Sequence, residues 1–159
     1  MKQRTVASLL PWLALVIAAG ALGALASREA ASFYAQLSRP SWAPPAGIFG
    51  PVWTALYLMM GVAAWRVATA LAQRQPGLAL FLAQLAANVL WSWLFFAWHL
   101  GGVAFADILL LDALVIATIV AFWRADRAAA ALLLPYLGWI GFATALNWVV
   151  WQGNPALLG

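Results

Sequence analysis

Three sets of aromatic side chains, each with a small polar companion or a tyrosine, recur at helical spacing in this chain. Trp53 and Tyr57 stand four residues apart, with Phe49 one turn earlier. Asn88, Trp91, Ser92 and Phe95 follow an i, i+3, i+4, i+7 pattern. Trp139, Phe142, Ala143, Leu146 and Asn147 do the same. Each set falls on one face of a helix. Apolar walls carrying a few polar groups are how proteins hold small apolar molecules. Alternatively, the rings pack helix on helix and the asparagines join helices by hydrogen bonds. Packing suffices for any single residue, whereas three faces converging beneath an ordered loop favour a pocket.

Other chemistry has less support. Asp107 and Asp112 are the acids placed deep in an apolar run, and a carboxylate there must find a partner or stay protonated. They lie five residues apart, roughly 140° round a helix, so they do not form one site. Asp107 is about one turn in and can hydrate; Asp112 is deeper and should face protein. Proton relay and plain hydrogen bonding to a neighbouring helix are both open, and with no buried base in view the second is favoured. His99, the single histidine, precedes Gly101 and Gly102 in a turn and is expected to be an exposed loop residue. The chain has no H-E-x-x-H, no glycine-rich phosphate loop and no G-x-S-x-G. It also has no cysteine, which excludes disulfides and thiolate metal sites, and with those motifs missing no metal site is expected.

The elements that must carry these faces are membrane spans. Of the 159 residues, 67% are hydrophobic and 8% charged, and mean hydropathy is +0.94. A soluble domain carries about 25% charged residues. The reading is an all-α membrane protein, a five-transmembrane-helix bundle forming a single domain over 1–159. Spans are expected near 6–26, 47–70, 78–98, 103–123 and 130–151, each about 20 residues. Lys2, Arg4 and the Ala24-Leu25-Ala26 run give the first span the look of a signal peptide, but its apolar run is too long for a signal core. Pro135 should kink the fifth span.

The long connection, 27–46, is expected to be a structured proline-rich lid loop between the first two spans. Over 37–53 it reads LSRPSWAPPAGIFGPVW, with Pro40, Pro44, Pro45 and Pro51. Proline fixes φ, removes a donor and restrains the preceding residue, so 37–45 cannot be an ordinary helix. Tyr34 and Trp42 on this loop would close a cavity from above. At 1.5 Å per residue, Trp53, Asn88, Trp139 and Asn147 lie roughly 9, 15, 18 and 6 Å below the loop side.

Five spans put the N-terminus and the loops near 66–77 and 124–127 on one side. That side holds Lys2, Arg4, Arg66, Arg74, Arg124 and Arg127, against Arg28 and Arg39 on the other. The positive-inside rule then makes the N-terminus cytoplasmic and sets the lid loop and C-terminus opposite. The net charge of +4 is spread over loops and gives no reason to expect nucleic acid. Small-residue rows at Ala79, Ala83, Ala87 and at Ala19, Gly23 permit close helix approach, either within one bundle or between two copies.

These residues bring a resemblance into view. The chain resembles the tryptophan-rich sensory protein / translocator protein family. The resemblance is carried by Phe33-Tyr34, RPSWAPP at 39–45, GPVWTALY at 50–57, Asn88-x-x-Trp91-Ser92 before Phe95-Phe96, ADILL at 106–110 and LPYLGWIGFATALNW at 134–148. It covers all but the first helix. It implies a homodimer with a pocket for porphyrins, protoporphyrin IX or haem, for sterol-like lipids and for other hydrophobic aromatic ligands, with no cofactor required. Ligand contacts implied by motif are Tyr34, Pro44, Trp53, Asn88, Trp91, Ser92, Trp139 and Ala143. Trp53 and Trp139 match tryptophans linked in the family to light- and oxygen-dependent porphyrin breakdown, so such an enzyme, or a porphyrin or lipid transporter, stands as the alternative to a binding and sensory protein. The family's sterol pattern needs a central Tyr and a following basic residue, where this chain has Trp148 and Gln152. Porphyrin is therefore preferred over sterol.

Overall fold

A computed structural model describes residues 6–70 and 74–159. Lys2 and Arg4, counted above for sidedness, lie outside the described residues. Among these residues eight α-helices follow one another: α1 Leu10–Ala26, α2 Ala30–Gln36, α3 Phe49–Thr69, α4 Arg74–Ser92, α5 Gly101–Ala125, α6 Arg127–Leu132, α7 Leu134–Gly153 and α8 Pro155–Leu158. Among the described residues, five stretches are long and apolar enough to cross a membrane: Val6–Ala26, Ala46–Thr69, Pro76–Ala97, Gly101–Ala125 and Arg127–Gly153. They fall within three residues of the sequence expectation. No strand occurs among the described residues.

Proline placement explains most helix starts. Pro11, Pro51, Pro76, Pro135 and Pro155 all sit in the first turn of a helix, where the missing N–H costs nothing. Pro76 and Gly77 therefore begin the third span rather than end a loop, which moves its start ahead of residue 78. Pro135 breaks the fifth span as expected. The chain turns at Leu133, between α6 and α7, and Asp126 caps α6 by accepting from the Ala129 N–H at 3.1 Å.

Round the bundle, α1 packs on α3 and α4, α4 on α5, and α5 on α6 and α7. α3 meets the fifth span mainly through α6. α3 and α7 themselves make few backbone-level approaches. At the lower end Arg66 pairs with Asp126 at 2.9 Å, tying α3 to the α5–α6 corner. α1 and α3 touch closely at Gly61, where an added Cβ would come within 3.0 Å of Leu13 and Val16.

Residues 37–45 are irregular, as proline requires, but the connection is not wholly extended. Ala30–Gln36 forms the short helix α2, which the loop reading did not anticipate. Its Phe33 and Tyr34 are buried in a second core patch with Leu94, Phe95, Leu146, Val150 and Leu158. The small-residue rows divide. Ala19 and Gly23 are buried inside the bundle, so that row serves internal packing, while Ala79 and Ala83 are exposed on α4 and Ala87 is buried.

Asn154, just past α7, fastens the irregular 37–45 segment, a strap between α2 and α3. Its Oδ1 accepts from the Ser38 N–H at 2.8 Å, and its Nδ2 donates to the Ser38 carbonyl at 2.9 Å and to the Val150 carbonyl at 2.7 Å. One amide side chain thus pairs with the strap as a neighbouring β-strand would. Each such bond contributes about 1 kcal/mol net. Asn154→Ala is expected to raise hydrogen exchange of the Ser38 amide and of residues 39–45 by at least about tenfold, with α5 unchanged. Equal protection in both proteins would mean that the strap is held elsewhere.

Candidate functional site

Beneath the strap lies a cavity of about 590 Å³. α3 contributes Phe49, Trp53 and Tyr57; α4 contributes Trp91 and Ser92; α7 contributes Trp139 and Ala143; Tyr34 comes from α2. These eight were all singled out from sequence. α1 supplies the remaining wall through Ile17, Gly20, Gly23 and Ala24, and Ser27 and Arg28 follow at the rim. Gly20 and Gly23 are small for a steric reason: an added Cβ would meet the Tyr57 ring at 3.2 Å and the Ser92 hydroxyl at 3.3 Å. Sequence reasoning assigned no ligand wall to α1. Its signal was the Gly20, Gly23 spacing, which faces α3 and α4.

The aromatic rings lock to one another and to the strap. Tyr34 donates its hydroxyl proton to the Pro44 carbonyl at 3.0 Å. Its ring meets Phe49 edge-on at 5.5 Å, Phe49 meets Trp139 at 5.9 Å, Trp139 lies against Phe142 at 5.6 Å, and Phe142 meets Trp42 at 5.6 Å. The circuit starts and ends on the strap. Such pairs contribute about 0.5–1.5 kcal/mol each beyond the area they bury. Arg39 stacks over the Tyr34 ring at 4.4 Å and covers it from outside.

Seven sequence candidates do not line the cavity. Trp42 and Pro44 act from the strap, Trp42 half exposed on Phe142 and Pro44 through its carbonyl. Phe142 stands behind Trp139. Leu146 is buried in the second core patch. Asn147 accepts from the Trp91 indole at 2.9 Å and donates to the Gly101 carbonyl at 3.2 Å, so it orients a wall residue. Phe95 misses the cavity because α4 does not end as a regular helix. Residues Trp93–Ala97 form a π-helical turn, with the Trp98 N–H bonded to the Trp93 carbonyl at 2.8 Å. The wider turn shifts the facing by one position, so Phe96 lines the cavity and Phe95 stacks on Trp91 at 5.3 Å.

Asn88 is the seventh. It lies behind Tyr57, 3% exposed, in a chain of hydrogen bonds. Tyr57 donates to Asn88 Oδ1 at 2.6 Å, Asn88 Nδ2 donates to the Tyr136 hydroxyl at 3.0 Å, and Tyr136 donates to Gln84 Oε1 at 2.8 Å. Three helices are joined below the cavity in this way. The Tyr57 proton is spent on Asn88, so toward the cavity that hydroxyl presents an acceptor. The indole N–H groups of Trp53 and Trp139 and the Ser92 hydroxyl have no hydrogen-bond partner among the described residues. They are donors left for an occupant.

The remaining candidates for chemistry lie elsewhere. Asp112 accepts from Thr144 of α7 at 2.8 Å, which is the structural hydrogen bond to a neighbouring helix. Asp107 is the more buried of the two acids, with Oδ2 enclosed and without a partner among the described residues, contrary to the expectation that it hydrates. His99 is exposed and stacks on Phe33 at 4.1 Å, its φ of 55° closing the turn into α5. No group of three metal-ligating side chains occurs among the described residues.

Fold and site together define a class: a multi-pass helical membrane protein with an aromatic cavity under a proline-braced strap. The profile of the TspO/MBR family matches residues 12–152, and the chain belongs to that family. It is 39% identical over 145 residues to the tryptophan-rich protein TspO of Chlorobaculum tepidum, covering 89% of this chain and 92% of that one. It is 40% identical over 130 residues to the translocator protein of Homo sapiens, covering 79% and 77%. Protein CrtK of Rhodobacter capsulatus is 38% identical over 140 residues, 86% of each chain.

The polar chain below the cavity carries a stability prediction. Asn88→Leu leaves the Tyr57 and Tyr136 hydroxyls each a partner short at nearly constant volume. A loss of about 1–2 kcal/mol is expected, the upper part of the range for hydrogen bonds between membrane helices. That corresponds to a melting temperature roughly 2–8 °C lower in detergent. A change below 1 °C would show that the chain contributes nothing to holding the bundle.

Proposed function

We propose that this protein binds and senses tetrapyrroles, protoporphyrin IX or haem, inside the membrane. The observation that carries the reading is the wall itself: Trp53, Trp139, Trp91, Phe49 and Tyr57 surround one hollow, and the indole N–H groups of Trp53 and Trp139 have no partner among the described residues. Flat aromatic molecules with acceptor edges suit such walls. The volume is within the range of about 300–1,000 Å³ usual for small-molecule sites. Below Tyr57 the bundle is filled by Met60, Gln84, Leu85, Ile108 and Tyr136, all buried, which favours holding a ligand over passing it across. The N-terminus is assigned to the cytoplasmic side and the strap to the opposite side, from the loop charges.

Titrating the full chain in nanodiscs with protoporphyrin IX should quench tryptophan fluorescence saturably. Ala143→Phe, which puts a ring into the cavity from α7, should weaken binding at least about tenfold, the scale of a site that must be emptied or reshaped to admit its occupant. Unchanged affinity would remove the cavity from the account. Illuminating the loaded protein separates holding from turnover: new absorption bands that Trp139→Phe abolishes would make it a porphyrin-degrading enzyme, and an unaltered spectrum leaves it a binding protein.

The partner on α4 is proposed to be a second copy of the chain, in a homodimer. Ala79 and Ala83 present small exposed side chains on that helix, beside exposed Leu82 and Leu90. Ala83→Trp is expected to shift the mass in mild detergent from dimer to monomer. A dimer that survives this change uses another face.

A further inference from the structure

We infer that the cavity selects an anionic occupant, an aromatic body bearing a carboxylate, through Arg28 at its rim. The inference rests on the reading of the cavity as a small-molecule site, and adds which charge class it takes. Of the residues lining the cavity, Arg28 alone is charged. None of the four acidic residues of the chain, Glu29, Asp107, Asp112 and Asp126, is on the wall. Arg28 has no ion-pair or hydrogen-bond partner among the described residues, and Glu29 beside it in sequence does not neutralise it.

Its place in the chain sets its height. α1 ends at Ala26, Ser27 caps it, and α2 begins at Ala30. Arg28 therefore sits at the corner above the last turn of α1, at the strap end of the hollow. The deeper walls are mostly rings and small or aliphatic residues; they offer free donors on Trp53, Trp139 and Ser92, and an acceptor on the Tyr57 hydroxyl, but no charge. A molecule that fits both levels has an apolar ring system below and an acceptor with negative charge above. A guanidinium takes a carboxylate through two parallel N–H bonds, which a neutral ester cannot reproduce. A cationic ring compound would meet Arg28 with like charge and find no acid to answer it.

The test compares acid with ester. The full chain in nanodiscs is titrated with protoporphyrin IX and its dimethyl ester, and separately with pyrenebutyrate and its methyl ester, which involve no tetrapyrrole. Binding is read from tryptophan fluorescence in wild type, Arg28→Gln and Arg28→Lys. An exposed but charge-assisted pair gives an expected preference of about three- to tenfold for the acid at low salt. Arg28→Gln should bring the acid's Kd to within twofold of the ester's, and Arg28→Lys should keep part of the preference. Raising NaCl from about 20 to about 500 mM should shrink the wild-type preference. Equal affinity for acid and ester in both pairs, or a preference that Arg28→Gln leaves intact, would overturn the inference. Acid preference within the pyrene pair, with no porphyrin bound, would uphold the charge selection while removing the tetrapyrrole reading. Binding of neither pair would overturn both.

Discussion

The hydrogen-bonded chain from Tyr57 through Asn88 and Tyr136 to Gln84 is the constraint on which the site depends. Apolar helices gain little by leaving lipid for one another, so close packing and interhelical hydrogen bonds must decide how they meet. Here one asparagine joins α3, α4 and α7 at a single depth. Tyr136 is fully buried, and its hydroxyl has no recourse to water. Above this knot α3 and α7 stand apart, and it is α6 that meets α3 closely. The cavity is the space that this separation leaves.

What fills the gap is a matched set of rings. Phe49 and Trp139 meet across it, and Tyr34 and Trp42 bind that pair to the strap. The strap is in turn fixed at Ser38 by Asn154. Roof, walls and floor are thus held by separate devices: a side chain imitating a β-strand, edge-to-face rings, and a buried polar chain. A tryptophan-rich composition serves two ends here. Trp91 is oriented by Asn147 from behind, whereas Trp53 and Trp139 keep their N–H groups for an occupant.

Much of this was legible in the sequence because prolines and spans obey short-range rules. Hydropathy placed five spans to within three residues, Pro40, Pro44 and Pro45 ruled out helix over 37–45, and Pro135 marked the break in the fifth span. Other parts depend on contacts distant in sequence. The residues of α2 contain no proline, and its burial comes from Leu94, Leu146 and Leu158, far along the chain. The π-helical turn at Trp93–Ala97 exchanged Phe95 for Phe96, and a periodic reading cannot register one added residue per turn. Asn88 was placed on the right face, yet Tyr57 stands in front of it. Gly23 reads with Ala19 as a close-approach residue, which it is, though what it approaches is the cavity's own Ser92, while Gly20, which approaches Tyr57, went unread.

A high-resolution structure of the protein loaded with protoporphyrin IX would show whether the hollow under the strap is where the ligand sits. The macrocycle is expected between Trp53 and Trp139, under Tyr34, with the Tyr57–Asn88–Tyr136 bonds intact beneath it. A macrocycle seated on the outer surface of the bundle, with the hollow under the strap collapsed or filled by side chains, would contradict it.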